Sequence, residues 1–451
     1  MKSCSYKTAI FLWVLAIFGF GIPALLPAQQ GATYKLTLQE AIHKALQANL
    51  NVLLAESRVD EAEGARQRSM SAALLPRINA QTYANVQNRN LRAFGISVPG
   101  LPLPSVVGPF SNYDARIYAQ QNVFDLATYR NFKASEITVE AGKLDERDAR
   151  DLIVRITAAL YLNAQTAASR MDAAQSRVND SNTLLKLATD KHDAGTATGV
   201  DVLRAQVQLA NEKQSLLVAQ NDLKQAFLTL ARTMGMSPGT NLELAEPLQY
   251  RALEQPQPDA LLPVALQARA DYLSLAKQRE TLLEQQRANS ARYLPRVSVS
   301  GNIGELGRSI GSITTTGLIQ GQVDFTVFDR DRAGEASQLA GRLRRVEAQI
   351  ADLQRGVDQD IRQALLNLDS AAQQVNVAEQ GQQLARRELT LAQDRFQAGT
   401  ANNVEVVTAQ DELARAEENY IMAVTRHVDA KCALARALGD TEKNLQQFLG
   451  N

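Results

Sequence analysis

The sequence has little of the chemistry that enzymes and metal proteins use. Its 451 residues include 2 cysteines, 3 histidines and 1 tryptophan, and aromatic residues make up 5%. His43, His192 and His427 stand far apart without a second ligand at metal spacing, which indicates surface or packing residues. Neither a glycine-rich phosphate loop after a strand nor a nucleophile motif is present. The sequence therefore predicts no enzyme, no metal site and no cofactor.

A net charge and a membrane-spanning apolar run are absent as well. The 48 basic and 48 acidic residues cancel, so no overall field attracts nucleic acid or anionic lipid. Lys2 and Lys7 precede an apolar run at 9–20, which is shorter than the roughly 20 residues that a bilayer requires. This pattern predicts a cleaved secretory signal at 1–28 and a mature chain that begins near Gln29.

Cysteine usage indicates that no disulfide holds the mature chain together. Cys4 lies before the apolar run and is removed with the predicted signal. Cys432 then has no partner, and its neighbours Ala430, Ala433 and Leu434 indicate a small packing residue in a helix.

What the sequence does contain is a tandem duplication. KHDAGTATGVDVLRAQ at 191–206 recurs as RFQAGTANNVEVVTAQ at 395–410, with eight of sixteen positions identical. Three landmarks repeat with the same offset of 204 residues: Gly195 and Gly399, Phe124 and Phe328, and Gly235 and Gly439. The chain is thus predicted to consist of repeat 1 (29–240), a linker (241–258), repeat 2 (259–440) and a C-terminal tail (441–451).

Each copy is predicted to be mainly helical. In repeat 2, apolar residues recur in steps of three and four from Leu343 to Val375, which indicates one long amphipathic helix. Asp329 or Asp331 is expected to cap it, and repeat 1 is expected to have the same rod at 128–192. About 65 residues make a rod of roughly 100 Å. Shorter helices are predicted before and after the rods, at 38–73, 200–234, 259–292 and 404–438.

The hydrophobic period changes to two between the leading helix and the rod of each copy. Alternation at 78–86, 115–123, 296–304 and 317–328 predicts four strands of about 10 residues, in two hairpins. The Pro- and Gly-rich segment 88–112 is then expected to be the first hairpin loop. Four strands cannot close a transmembrane barrel, so several chains must share them. Two chains give a filled 8-stranded barrel and three give 12 strands with a lumen, and transport favours three.

These features together resemble the outer-membrane efflux protein family, whose type member is TolC. The resemblance is carried by LTLQEAIHKALQANLN at 36–51, the Leu-Pro pairs that introduce both hairpins, the Phe-Asp pairs that follow them, and the two Ala-Gly-Thr turns. It implies a mainly α fold with a small transmembrane β part, assembled as a homotrimer with a 12-strand barrel and a 12-rod helical barrel. Asn49-Leu50-Asn51 departs from the family's usual Asn-Pro and is expected to alter the kink there.

The resemblance also implies a location and partners. The barrel would lie among the lipids of the outer membrane of a Gram-negative-type cell, and the helical part in the periplasm. There it would meet a periplasmic adaptor and, through it, an inner-membrane pump, in a tripartite efflux or type I secretion system. A soluble periplasmic coiled-coil scaffold, or the adaptor itself, is the alternative, and the transported substrate stays open.

Six residues are candidates for the functional site. The family's helix-to-helix turns form the tip that adaptors grip, so Gly195, Thr196, Gly399 and Thr400 are predicted docking residues. Turn geometry alone is a second explanation for the two glycines. Asp201 and Glu405 are predicted to line the periplasmic constriction, where like charges favour cations; as an alternative, they are favourable charges in the first turn of a helix. The family's second acid is replaced by Thr408.

Overall fold

The computed structural model describes residues 34–91, 93, 95, 104–253, 257–309 and 311–449. The predicted signal and part of the first hairpin loop lie outside these residues. The described chain is mainly helical, as predicted. Repeat 1 contains β1 (Tyr34–Leu36), α1 (Leu38–Ala48), α2 (Leu50–Leu74), β2 (Arg77–Asn90), β3 (Val106–Phe124), α3 (Leu126–Asp193) and α4 (Gly199–Thr233). The rest of the chain contains β4 (Leu242–Leu244), α5 (Pro258–Ala268), α6 (Ala270–Ala291), β5 (Arg296–Gly307), β6 (Thr314–Asp324), α7 (Asp331–Gln397), α8 (Asn403–Leu438) and α9 (Thr441–Leu449).

The two long rods, α3 and α7, contain 68 and 67 residues. Asp125 caps α3 by accepting a hydrogen bond from the backbone N–H of Thr128 at 3.0 Å. The cap predicted for α7 is wrong, because Arg330 occupies the N-cap position without a side-chain bond. Asp329 instead accepts from the backbone N–H of Asp331, the first residue of the helix. The start of α7 is therefore stabilised by Asp329, which lies one residue before the N-cap position.

Each leading helix, predicted as one, is broken into two. Asn49 separates α1 from α2 in an extended conformation (φ −74°, ψ 128°), and its side chain accepts from the backbone N–H of Asn51. Arg269 separates α5 from α6 in nearly the same conformation (φ −69°, ψ 118°). The buried guanidinium of Arg269 pairs with Asp271 at 2.6 Å and with Asp360 on α7 at 3.2 Å. These ion pairs hold the break against the neighbouring rod.

The main sheet is antiparallel with the order β2-β3-β5-β6. Its strands differ from the predicted bounds, including at the start of β3 and at the end of β6. Val106 pairs with Asn90, so β3 begins within the segment expected to be loop. Asp324 pairs with Arg296 at the end of β5, so β6 ends there and not at Phe328, because no further strand residue is available for pairing.

A second small sheet, which the sequence did not predict, joins the start of repeat 1 to the predicted linker. Strands β1 and β4 pair in parallel, which places a strand inside the predicted linker. Tyr161 on α3 donates its hydroxyl to the carbonyl oxygen of Leu36 at 3.0 Å. Cys432 is buried in the same core as a free thiol, where burial raises its pKa to about 12, so its predicted packing role is confirmed. The predicted tail forms α9, which packs on α8 and α3.

Candidate functional site at the two helix-to-helix turns

The first turn joins α3 to α4. Its backbone reverses at Gly195, which has a φ of +73°, and Thr196 donates its N–H to the carbonyl oxygen of Lys191 at 2.8 Å. The hydroxyl of Thr196 donates to the same oxygen at 3.0 Å. Carbonyls at the end of α3 are thereby satisfied within the turn, and a residue with a Cβ would be strained at Gly195.

The second turn joins α7 to α8 and repeats this arrangement. Gly399 has a φ of +77°, and Thr400 donates its N–H at 3.0 Å and its hydroxyl at 3.2 Å to the carbonyl oxygen of Arg395. No atom lies within 4 Å of the position that a Cβ would occupy at either glycine. Backbone conformation, and not crowding, therefore selects glycine. All four predicted docking residues are exposed.

Asp201 lies in the first turn of α4 and takes part in a capping box. Its carboxylate accepts from the backbone N–H of Thr198 at 3.0 Å and from the Thr198 hydroxyl at 2.7 Å. The Thr198 hydroxyl holds the pKa of Asp201 below its usual value. Only 13% of the Asp201 side chain is exposed. The helix-start interpretation thus has direct structural support at this residue.

Glu405 occupies the equivalent position in α8 but has different surroundings. There Asn402 is the cap, and its side chain accepts from the backbone N–H groups of Val404 and Glu405. The Glu405 carboxylate is therefore not needed for capping, and it pairs with Arg395 across the turn at 3.0 Å. Its side chain is 43% exposed. Of the two predicted acids, Glu405 is the more accessible to a passing ion.

Two hydrogen bonds connect the two turns to each other. The side-chain amide of Asn403 donates to the carbonyl oxygen of Asp201 at 2.9 Å. The Lys191 ammonium donates to the carbonyl oxygen of Gln397 at 3.1 Å and lies over the Phe396 ring. Beyond the turns, apolar side chains of all four helices pack in one cluster that includes Leu184, Ala205, Leu389 and Val406. The turns of one chain therefore form one structural unit.

The residues that connect the turns were not predicted from the sequence. A comparison at the offset of 204 residues would have drawn attention to them, because Gly199 stands where repeat 2 has Asn403. Thr198 likewise stands where repeat 2 has the cap Asn402. Thr408, the position without the family's second acid, lines a groove of about 400 Å³ with apolar residues of α4 and α8.

A partly buried group of charges farther along the rods was also not predicted from the sequence. Arg177 on α3 pairs with Glu212 on α4 at 3.0 Å and with Glu417 on α8 at 3.7 Å. Arg386 on α7 reaches the other oxygen of Glu417 at 3.5 Å. Burial raises the pKa of Glu417. These residues connect all four long helices, and their separation in the chain leaves no local signal to find them.

Two features are absent from the part of the chain that the structure describes. No helix among the described residues combines the length and hydrophobicity needed to cross a membrane. Within the same ranges, no group of three or more His, Cys, Asp or Glu side chains is placed to hold a metal ion.

Comparison with known proteins decides the family. The model of the outer membrane efflux protein family matches residues 41–236 and 261–440, one segment in each repeat. The chain belongs to the outer membrane efflux protein family. The pyoverdine export outer membrane protein OpmQ of Pseudomonas aeruginosa is 22% identical over 420 residues, which cover 89% of this chain and 85% of OpmQ.

Solved structures of outer-membrane channels share the fold. VceC of Vibrio cholerae is 20% identical with a TM-score of 0.73, over 89% of this chain and 96% of VceC. The open state of MtrE of Neisseria gonorrhoeae is 17% identical with a TM-score of 0.73, over 91% of this chain and 90% of MtrE.

The resemblance to the efflux protein family is confirmed, and family membership gives the class of protein and its location. This efflux protein is an outer-membrane channel with its helical part in the periplasm, and it acts as the outer-membrane component of an efflux system. The family is a transport family. This assignment replaces the alternative of a soluble periplasmic scaffold or adaptor.

Proposed function

We propose that three copies of this efflux protein form a duct that receives its substrates from an inner-membrane pump through a periplasmic adaptor. Three four-stranded sheets would close a 12-stranded barrel in the outer membrane, and the helices would continue it as 12 rods. The observation that carries the proposal is the chemical difference between the two faces of the sheet.

Side chains alternate across the sheet row by row. One row is apolar or small: Ile78, Ala119, Gly301 and Ile319. The row at the next register position lies on the other face and is mostly polar: Asn79, Tyr118, Asn302 and Leu318. Large apolar residues of the first face are exposed: Ile78, Val86, Ile117, Ile303, Ile319 and Val323. A transmembrane barrel directs such a face to lipid and the polar face to its lumen.

The two outer strands support closure by further copies. Strands β2 and β6 each have one neighbour in the sheet, so each leaves one row of backbone groups without a strand partner. In lipid each unsatisfied backbone group costs several kcal/mol, and only a closed ring satisfies all of them. Two copies would give a barrel filled by its own side chains, whereas three leave room for a lumen.

The helices also present apolar surface without a partner in the chain. On α7 exposed apolar residues recur every seven positions, at Val377, Leu384 and Leu391. On α4 a comparable exposed seam contains Leu203, Val207, Leu217 and Leu228. Rows of this period fit the packing of neighbouring helices. A neighbouring copy would cover both seams.

The turns are the proposed docking surface for the adaptor. Gly195, Thr196, Gly399 and Thr400 are exposed at the ends of the rods, and two turns per chain would give a trimer six sites of contact. Glu405, with Asp201 in a lesser role, would line the constriction of the duct at this end. Its accessible carboxylate supports a weak preference for cations there.

The experiment measures the mass of the purified, detergent-solubilised protein and its conductance in planar lipid bilayers. A trimer that conducts is expected. Leu391→Ala should weaken the trimer because it removes exposed apolar surface, whereas Leu389→Ala, at a position only 6% exposed, should destabilise the fold itself. A monomer that does not conduct would refute the duct. An adaptor that still cross-links to the protein after both turns are altered would refute the docking surface.

A further inference from the structure

An ion pair on the polar face of the sheet has a buried carboxylate. Asp114 on β3 is 2% exposed, and the side chain of its partner Arg116 is 22% exposed. The Asp114 carboxylate accepts from the hydroxyl of Tyr83 at 2.8 Å and from the Nε of Arg116 at 2.7 Å, and the Nη2 of Arg116 donates to it as well. Asp114 and Arg116 are two positions apart on β3, so both project from the same face.

The strand register builds the surroundings of this pair. Tyr83 on β2 stands directly opposite Asp114, and Gly304 on β5 stands directly opposite Arg116. A Cβ at Gly304 would lie 2.7 Å from the Cγ of Arg116 and 2.1 Å from the carbonyl oxygen of Ala115. The missing side chain lets Arg116 lie against β5, where its Nη1 reaches Asn302 Oδ1 at 3.4 Å.

Most of the neighbouring positions on this face carry no charge. The row next to Arg116 contains Tyr118 and Asn302, and the following row contains Gln120, Ser300 and Gln320 together with Arg77. Another ion pair of this face, Arg296 with Asp324, lies at the helical end of the sheet, where the groups are 4.0 Å apart and partly exposed. The Asp114–Arg116 pair is therefore closer than the Arg296–Asp324 pair, and it lies within the strands and not at their helical end.

We propose that Asp114 sets the ion preference of the barrel lumen by neutralising Arg116, and that Tyr83 and Gly304 position the pair against the wall. The inference rests on the proposed function, because it needs the polar face to line a lumen. In a trimer the pair would occur three times around one ring. Rings of charged side chains at close quarters decide which ions a pore admits, so loss of either partner would leave three uncompensated charges.

The test is the reversal potential of full-length channels in planar bilayers under a KCl gradient. Asp114→Asn is expected to move the preference toward chloride, and Arg116→Gln toward potassium, each by at least about twofold in the permeability ratio. The double variant Asp114→Asn/Arg116→Gln should return to the wild-type ratio. A general loosening of the barrel would shift the permeability ratio in the same direction in both single variants. Opposite shifts that cancel in the double variant therefore indicate neutralisation.

One control completes the test. Asp324→Asn removes the carboxylate of the longer, exposed pair and should shift the ratio less than Asp114→Asn does. If Asp114→Asn yields no folded channel, Arg116→Gln carries the test by itself. A conducting Arg116→Gln channel with the wild-type ratio would overturn this inference alone, whereas wild-type protein that forms no channel would overturn the proposed function with it.

Discussion

Asn403 donates its side-chain amide to the backbone carbonyl oxygen of Asp201 at 2.9 Å, and this bond joins the first turn of α8 to the first turn of α4. Asn403 is fully buried. The equivalent residue of repeat 1 is Gly199, which has no side chain. Repeat 1 therefore cannot make the corresponding bond to repeat 2. Lys191 supplies the return connection from another position, through the carbonyl oxygen of Gln397.

Loss of the Asn403 side chain should loosen both turns. Asn403→Ala removes one buried hydrogen bond, which contributes about 1 kcal/mol, so backbone amides at the start of α4 should exchange about fivefold faster. Hydrogen exchange read by mass spectrometry measures this locally. Asn367→Ala, at an exposed position of α7, is the matched control and should leave the exchange at the turns unchanged. Equal protection in the two variants would show that the bond does not stabilise the turns.

Glycine should be required at the turns for its backbone conformation. Gly195→Ala and Gly399→Ala are each expected to lower the free energy of unfolding by about 1 kcal/mol, because an L residue is strained at positive φ. Asn should be tolerated better at both positions, since it adopts this conformation more readily. Thermal unfolding followed by circular dichroism measures the change. Gly381→Ala, at an exposed position in the middle of α7, should instead raise the free energy of unfolding, because Ala favours a helix.

The two acids near the turns should respond differently to neutralisation. Glu405→Gln is expected to lower the cation preference of the channel, because its carboxylate is accessible and is not used for capping. Asp201→Asn should instead cost about 1 kcal/mol of stability through the weakened capping box, with a smaller effect on selectivity. Reversal potentials and thermal unfolding of both variants separate the two effects. Larger selectivity loss in Asp201→Asn would contradict the assignment.

The stability of the chain should fall in mild acid because of His427. This residue is 1% exposed, its Nδ1 has no hydrogen-bond partner and its ring packs edge-on against Tyr250. Burial lowers its pKa to about 4. Below the unfolded pKa of about 6.5 the unfolded chain takes up a proton that the folded chain does not. The free energy of unfolding should therefore decrease, by an amount on the order of 3 kcal/mol, as the pH falls from about 6.5 to about 4.

Replacement of the imidazole tests this dependence. His427→Phe keeps an aromatic ring against Tyr250 and removes the titrating group, so its melting temperature should differ less between pH 7 and pH 5 than that of the wild type. His43→Gln alters an exposed histidine and should keep the wild-type difference. An unchanged pH dependence in His427→Phe would assign the acid sensitivity to other groups.

Features with a local signal were predictable from the sequence, and features held by distant contacts were not. Thr37 and Glu40 have the Thr-x-x-Glu spacing of a capping box, and both hydrogen bonds of that box are present. The helix break at Arg269 is not marked by a glycine or proline in the adjacent sequence. One of the ion pairs that hold it reaches Asp360 on another helix. The pairing of β1 with β4 likewise joins segments about 200 residues apart.

The same distinction applies to the candidate site. The repeated motif located both turns and the two acids, because repetition is visible in the sequence itself. It did not show that Asp201 is engaged by Thr198 while Glu405 faces Arg395. That difference arises because the cap is Thr198 in repeat 1 and Asn402 in repeat 2. The effect of this substitution depends on side-chain geometry. Adaptor docking and the constriction stay predictions.

The strand order β2-β3-β5-β6 has a consequence for assembly. The inner junction, between β3 and β5, joins the first copy to the second, and the two outer edges also belong to different copies. In a ring built from such sheets, a strand of repeat 1 would therefore pair with a strand of repeat 2 both inside each subunit and at each junction between subunits.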